Sequence, residues 1–306
     1  MTLRFTLRQL EYLVAVADCG SVAMAAQRVN VSSPSISAAI AQLEAAYGVQ
    51  LFIRRHAQGL ALTEGGRVFT DAAREVLASA SRLTDRAGEI AGVVAGALTV
   101  GCLVTFAQVI LPGLRRSFSD AFPAVEFGQI EGHQADLFDG LRRARLDVAL
   151  TYDLDIPPDL EFQPLVPLAP YALFPVGHAL AGRVTVSPAD LAGFPMVLLD
   201  LPHSADYFLS FFSDAGLVPR IAERTRDLGV MRAMVANGFG YSIANIWLGS
   251  DLVPDGKRLA FVPLVAGMRP MRIGLLLAKG AVPRRAVAAF MDHCRGAVTG
   301  QALPGL

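Results

Sequence analysis

The sequence predicts a mixed α/β chain in three parts: a small helical head closed by a β-hairpin, one long helix, and a two-lobed α/β region. Three observations carry that prediction. Residues 21–47, SVAMAAQRVNVSSPSISAAIAQLEAAY, hold two short helical periods parted by a polar corner. From Phe69 onward, apolar side chains recur every seven residues at Val76, Leu83 and Ile90. Beyond Gly96, apolar runs of strand length alternate with helical periods.

The head begins with a helix over residues 5–19, with Leu7, Leu10, Val14 and Ala17 facing inward. Ser21 is placed to cap a second helix over 21–29, whose Val22, Ala25, Ala26 and Val29 share one face. Asn30 supplies the break. Ser32 or Ser33 caps a third helix, and Pro34 falls in its first turn, where a missing N–H is harmless. In that helix Ile36, Ile40, Leu43 and Tyr47 form one buried stripe. The opposite face holds Ser35, Ser37, Ala38, Ala41 and Gln42, small or polar and uncharged. Such a face suits a helix pressed against another macromolecule, as in the major groove of DNA. The same pattern also fits a helical hairpin packed inside a larger core.

The following segment separates these readings. Gly48 ends the third helix, residues 49–55 are extended, and Arg54-Arg55 precede His56, Gly59 and a short strand over 60–62. This is a β-hairpin wing with guanidinium groups near its tip, suited to phosphate or a narrow groove. The run from Leu7 to Arg67 resembles the winged helix-turn-helix of LysR-type transcriptional regulators. The resemblance rests on Leu10 and the apolar ladder after it, Gly20-Ser21, Ala25-Ala26, Val31-Ser32, Pro34, Ser37, Gln42-Leu43-Glu44, Gly48, Leu51-Phe52, Arg54, Leu62-Thr63 and Gly65-Gly66. It implies a DNA-binding regulator. Ser21, Ser32, Ser33, Pro34, Ser35, Ser37 and Gln42 would then lie at base edges or phosphates, with Arg54 and Arg55 on the backbone or minor groove. The family often has Gln at Ser33 and Arg or Lys at Ala38, so no base preference carries over from relatives.

Composition bounds the rest. The chain has 306 residues, 53% of them hydrophobic and 18% charged, which is room and apolar content for two or three compact domains. Formal net charge is zero, so affinity for nucleic acid must come from local arginines and from presenting more than one binding unit. Cys19, Cys102 and Cys294 are widely spaced and odd in number, as expected of reduced intracellular thiols. No signal peptide or membrane span is expected, and the predicted location is the cytoplasm.

The long helix runs from about Thr63 to Gly92. Its heptads of Phe69, Val76, Leu83 and Ile90, interleaved with Ala73, Ala80 and Ala87, make a seam for a partner helix. A helix lying on its own domain would also use them; the family resemblance favours a dimer-forming linker. Residues 92–96, GVVAG, form a hinge. Strands follow near 98–102, 125–131, 148–152, 160–166 and 171–175, with helices near 109–122 and 135–143. A second set has strands near 196–199, 221–225 and 241–245 and helices near 203–215 and 228–235. Strands at 259–263 and 271–278 and a helix at 284–295 finish the chain. This alternation implies a doubly wound sheet, and it resembles the two-lobed periplasmic-binding-protein-like effector domain of the same family. The expected division is 1–62 for the DNA-binding head, 63–92 for the linker and 93–306 for the effector domain. One lobe spans about 97–166 and 268–298, the other about 167–267.

Ligands of open α/β sheets bind beyond the carboxyl ends of strands. That rule selects four junctions facing one cleft. They supply Leu103, Thr105 and Phe106, then His133, then His203 and Ser204, and finally Asn245 and Trp247. By the resemblance, positions matching Thr105 and His133 line the inducer pocket. His133 in place of a hydroxyl residue points to an anionic or hydrogen-bonding effector. A hydrolase using Ser204 with His133 or His203 and Asp200 or Asp206 lacks a Gly-x-Ser-x-Gly elbow, and adjacent His and Ser diverge on a helix. Gly238-Phe239-Gly240 lacks the third glycine of a dinucleotide loop. A solute-binding protein would not need the N-terminal ninety or so residues. By the resemblance, peroxide-sensing relatives use a cysteine pair within the effector domain, and between Cys102 and Cys294 there is no other cysteine. No metal site, cofactor or catalysis is expected. The expected partners are promoter DNA, a small effector, further copies of the chain as a dimer of dimers, and RNA polymerase.

Overall fold

The computed structural model describes residues 3–55, 59–91 and 93–298. The wing tip at His56, Gly92, and the side chains of Arg55, Ala87 and Ile90 lie outside the described residues. The chain divides into two compact units, one built from residues 1–96 and the other from 97–141 and 146 onward.

In the first unit, α1 (Leu7–Cys19) opens on a capping box between Thr6 and Gln9 and ends at Gly20. Helix α2 (Val22–Arg28) is capped by Ser21, and α3 (Ser33–Tyr47) by Ser32, with Pro34 in its first turn and Gly48 at its end. Strands β1 (Phe52–Arg55) and β2 (Gly59–Leu62) pair antiparallel, Phe52 opposite Leu62 and Arg54 opposite Leu60. Leu10, Leu13, Val16, Ala25, Ile36, Leu43 and Leu51 form a common core. Each large aliphatic side chain buried there contributes about 1.5–3 kcal/mol.

Two inward residues are corrected. Leu7 is the first residue of α1 and lies exposed; the buried line runs through Leu10, Leu13 and Val16. Tyr47, at the last turn of α3, is also partly exposed, though its ring meets Phe69 edge-on at 5.1 Å.

Helix α4 (Glu64–Ala91) serves two surfaces. Phe69, Ala73 and Leu77 pack on the head's own core, while Val68, Val76 and Leu83 stay exposed. The heptad residues are therefore not one seam: Phe69 and Ala73 lie on their own domain, while among the described side chains Val76 and Leu83 are left for a partner.

The second unit carries two sheets. The first has the order β4-β3-β5-β12-β6, from β3 (Gly96–Leu103), β4 (Val125–Gly132), β5 (Val148–Tyr152), β6 (Leu160–Leu168) and β12 (Met271–Ala278). Strands β3 and β5 are parallel, but β12 returns antiparallel between β5 and β6. The sheet is thus mixed in strand direction. In the second sheet β7 (Tyr171–Pro175) is flanked antiparallel by β10 (Ser242–Ala244) and β11 (Leu259–Pro263). Parallel β8 (Pro195–Leu199) and β9 (Arg220–Thr225) join it at Tyr241, whose amide donates to the Pro195 carbonyl and whose carbonyl accepts from the Val197 amide. The chain passes between the sheets twice, after β6 and before β12.

Helices α5 (Val104–Ala107), α6 (Leu111–Ala121) and α7 (Gln134–Arg142) connect the first sheet; α8 (Pro188–Ala192), α9 (Ser204–Ser213) and α10 (Leu228–Ala236) serve the second. The last helix, α11 (Arg285–Ala297), returns to α6, with Phe290 edge-on to Phe118 at 5.2 Å. The short α5 and α8 were not visible in the sequence pattern. Among the described residues no helix is long and apolar enough to cross a membrane.

Candidate nucleic-acid interface and effector cleft

On the head, α3 presents Pro34, Ser35, Ser37, Ala38, Ala41 and Gln42 to solvent, with Ser33 half-buried. Its one charged residue, Glu44, turns away: the carboxylate accepts from the Leu51 and Phe52 amides at 2.7 and 3.3 Å. The exposed face therefore carries no charge. Ser32 Oγ accepts from the Ser35 amide and lies 2.8 Å from Ser35 Oγ, so one hydroxyl caps the helix and positions the next. Ser21 Oγ caps α2 by accepting from the Met24 amide. Gln42 is held from α1, because Gln9 Nε2 donates to its Oε1 at 2.8 Å. The wing is fixed beside the helix-turn-helix by the Leu60 amide, which donates to the Gly20 carbonyl at 2.8 Å. This leaves Arg54 exposed over an open groove shared with Ser21, Val22 and Gly59.

In the second unit one small cavity lies between the sheets, with a free volume of about 30 Å³ for a water-sized sphere. That is room for about two waters. Five of the predicted residues line it: Leu103, Thr105, His133, Ser204 and Asn245. Three do not. Phe106 is wholly buried behind Thr105, its ring 4.5 Å from that of Tyr152, because one helical step turns it to the far side of α5. His203 is directed to Asp155, Nδ1 to Oδ2 at 2.7 Å. Trp247 packs near Phe261 at 6.1 Å.

Sequence reasoning missed Tyr152, Leu201, Phe208, Leu228, Ala244, Ile246 and Met271 in the lining, while Gln134 belongs to the junction it selected at His133. Tyr152 ends β5, so the strand-end rule was sufficient to find it; Gln134 directly follows His133. The Gln134 amide is buried and donates to the carbonyls of Tyr152 and Leu154 at 3.2 and 2.7 Å. Burial pushes the Tyr152 phenol well above its ordinary pKa, so it stays neutral. Asn245 Nδ2 donates to the Leu168 carbonyl at 2.9 Å, tying the second sheet's last junction to the end of β6.

Catalytic geometry does not assemble. Ser204 is buried beside a histidine committed to Asp155, and Asp200 pairs with Arg224 at 3.4 Å. Among the described residues no group of three or more His, Cys, Asp or Glu could hold a metal ion.

Comparison with known proteins agrees with both halves. A model of the bacterial regulatory helix-turn-helix protein, lysR family, matches residues 7–67. One of the LysR substrate binding domain matches residues 91–299. HTH-type transcriptional regulator TcbR of Pseudomonas sp. (strain P51) is 30% identical over 294 residues, 94% of this chain and 97% of that protein. The structure of HinK, a LysR family transcriptional regulator from Pseudomonas aeruginosa, aligns with a TM-score of 0.65 at 38% identity, covering 95% of this chain and 98% of that one. Full-length CbnR in complex with its target DNA aligns with a TM-score of 0.66 at 28% identity, covering 95% and 99%. This chain belongs to the LysR family: it is a DNA-binding transcriptional regulator with an effector-binding domain, in a family of regulators and not of enzymes.

Proposed function

We propose that α3 enters the major groove with Ser33, Ser35 and Ser37 leading, Pro34 shaping the first turn and Gln42 held at its register by Gln9. Ser21 and Ser32 present the capped ends of α2 and α3 to phosphates, while Arg54 and Arg55 hold the backbone or minor groove. The observation that supports this reading is the uncharged, exposed face of α3 beside the exposed Arg54. The CbnR structure was obtained with target DNA, which supports the same use of the head here.

Residues 1–62 then act as the DNA-binding head, 63–92 as the linker and 93–306 as the effector domain. The exposed Val76 and Leu83 of α4 support a seam with a second copy. Two heads at fixed spacing offset the small contact area of each, and a dimer of dimers would span a longer operator. A small anionic or hydrogen-bonding effector held by Thr105, His133, Ser204 and Asn245 would close the cleft and shift the copies between two arrangements, acting only through its differential affinity. The regulator would work in the cytoplasm, with RNA polymerase as a further partner.

A gel shift with the promoter region beside its own gene tests the head. Wild-type protein should bind, with affinity falling as salt rises. Arg54→Ala should weaken binding about tenfold and flatten the salt dependence. Equal binding by wild type and Arg54→Ala, or none by the intact protein, rejects the assignment.

A further inference from the structure

The lining of the cleft specifies the charge of what enters it. Most of the wall is hydrocarbon, from Leu103, Leu199, Leu201, Phe208, Ile246 and Met271, and among the described residues no lysine or arginine lines it. His133, the only lining group able to carry a positive charge, is exposed. Helix N-termini, the usual alternative for holding an anion, already have part of their donors engaged. Asp136 accepts from the His133 amide at the head of α7 at 3.1 Å, and Asp227 accepts from the Val230 amide at the head of α10 at 2.8 Å. At α9 the Ser204 and Ala205 amides go to the carbonyls of Pro202 and Leu201, and Asp206 sits in the first turn. Among the described lining residues no buried cation would balance a carboxylate, and burying an unpaired charge is unfavourable.

The cleft holds one buried acceptor with no donor facing it. Asn245 is 4% exposed, and its Oδ1 has no hydrogen-bond partner. Its orientation is fixed, because the Leu168 carbonyl can only accept and so must face the amide NH₂, which also lies 3.2 Å from Tyr207 Oη. The atom left over is therefore a bare acceptor. Thr105, 7% exposed, has its hydroxyl buried in the same lining, beside the Tyr152 phenol. Leaving a buried acceptor unmet is unfavourable, and a donor on the ligand recovers that loss.

We propose that the effector is a small, uncharged, largely apolar molecule carrying an N–H or O–H donor, such as a primary amide or a phenol, which donates to Asn245 Oδ1 with Thr105 as the second contact. This rests on the cleft being the effector site. It sets aside the anionic class and takes the hydrogen-bonding one. The opening required is set by size: a ring of six atoms exceeds the present cavity, so entry parts the two sheets.

Calorimetric titration of the full-length protein with the matched probes benzamide, phenol and benzoate, each at millimolar concentration, tests it. Wild-type protein, Asn245→Ala, Thr105→Val and a cavity-filling Leu201→Trp are compared, with circular dichroism and operator binding as checks of folding. Benzamide or phenol should bind at least about tenfold more tightly than benzoate. That binding should fall about tenfold in Asn245→Ala, less in Thr105→Val, and vanish in Leu201→Trp. Benzoate binding as well as or better than benzamide, and losing affinity in Leu201→Trp, overturns the ligand class while leaving the cleft as the site. Neutral probes that bind Leu201→Trp as they bind wild type overturn the cleft itself. No binding by either neutral probe overturns the proposal.

Discussion

His203 Nδ1 lies 2.7 Å from Asp155 Oδ2, joining the loop after β5 to the turn before α9. His203 is the centre of a tight turn in which the Ser204 amide donates to the Pro202 carbonyl at 2.8 Å, with φ 66° and ψ −39°. Asp155 also has positive φ, 43°. Backbone of this kind costs about 1–3 kcal/mol and persists only when its surroundings enforce it. The strain swings the imidazole out of the cleft and onto Asp155, while its neighbours Pro202 and Ser204 remain in the lining. Two opposed effects then separate by substitution. His203→Gly loses the tie but relieves the turn; His203→Ala loses the tie and keeps the strain. Thermal unfolding should find His203→Gly the more stable by about 1 kcal/mol. Because the pair is partly exposed, either variant should change effector affinity by less than about fivefold. An Ala variant as stable as the Gly variant would show that the turn is unstrained.

Arg74 of α4, through Asp18 of α1, belongs to an ion-pair network that spans three helices of the head. Its Nη2 meets Asp18 Oδ1 at 2.7 Å and its Nη1 meets Asp71 Oδ1 at 2.9 Å, while Asp18 Oδ2 also takes Arg28 from α2 at 3.3 Å. Arg74 is 9% exposed, so removing Asp18 leaves a buried guanidinium with one half-exposed partner. Asp18→Ala should destabilise the head by about 3 kcal/mol, and Asp71→Ala by under about 1 kcal/mol. Urea unfolding followed by far-ultraviolet dichroism reads both; equal losses would deny that burial sets the difference.

Gly66, in the first turn of α4, passes so close to the strand leading into the wing that a Cβ would sit 2.0 Å from the Leu51 carbonyl oxygen. Backbone lies on both sides, so neither can yield without moving the wing relative to α4. Gly66→Ala should cost more than about 3 kcal/mol and abolish operator binding. In α6, where a Cβ at Gly113 meets nothing within 4 Å, Gly113→Ala should stabilise by about 0.5–1 kcal/mol. A folded, DNA-competent Gly66→Ala protein would overturn this account of the junction.

The elements that the sequence disclosed best are those whose ends are chemically marked. Ser21, Ser32, Gly20 and Gly48 cap or stop helices through local hydrogen bonds, which one chain segment determines by itself. The direction of β12 has no such local cause, since it depends on a partner strand more than a hundred residues earlier. The cleft divides in the same way. Strand ends named the right loops, but which side chain of a loop faces inward depends on single dihedral angles. His203 turned out through its φ of 66°, and Phe106 through its place one step after Thr105. The bare acceptor on Asn245 was invisible for a further reason: it follows from where its NH₂ group is already engaged, at Leu168.

The three cysteines differ in a way that chemistry can count. Cys102 and Cys294 are fully buried, in the first sheet and in α11, whereas Cys19 at the end of α1 is half-buried. Burial pushes the Cys294 thiol up to about 12 and that of Cys102 further still, with the carboxylate of Glu131 adding to the effect on Cys102. The sign is that of an acid held neutral: below its raised pKa each thiol keeps its proton, and the thiolate fraction falls about tenfold per unit of separation from ambient pH. Since the thiolate is the nucleophile, native protein at neutral pH should release one equivalent of chromophore rapidly from a disulfide reagent, through Cys19. The other two should appear only on unfolding. Peroxide should correspondingly leave operator binding unchanged in a Cys19→Ser variant. Rapid labelling of Cys102 in the folded protein, located by peptide mass, would refute this and reopen a redox role for the first lobe.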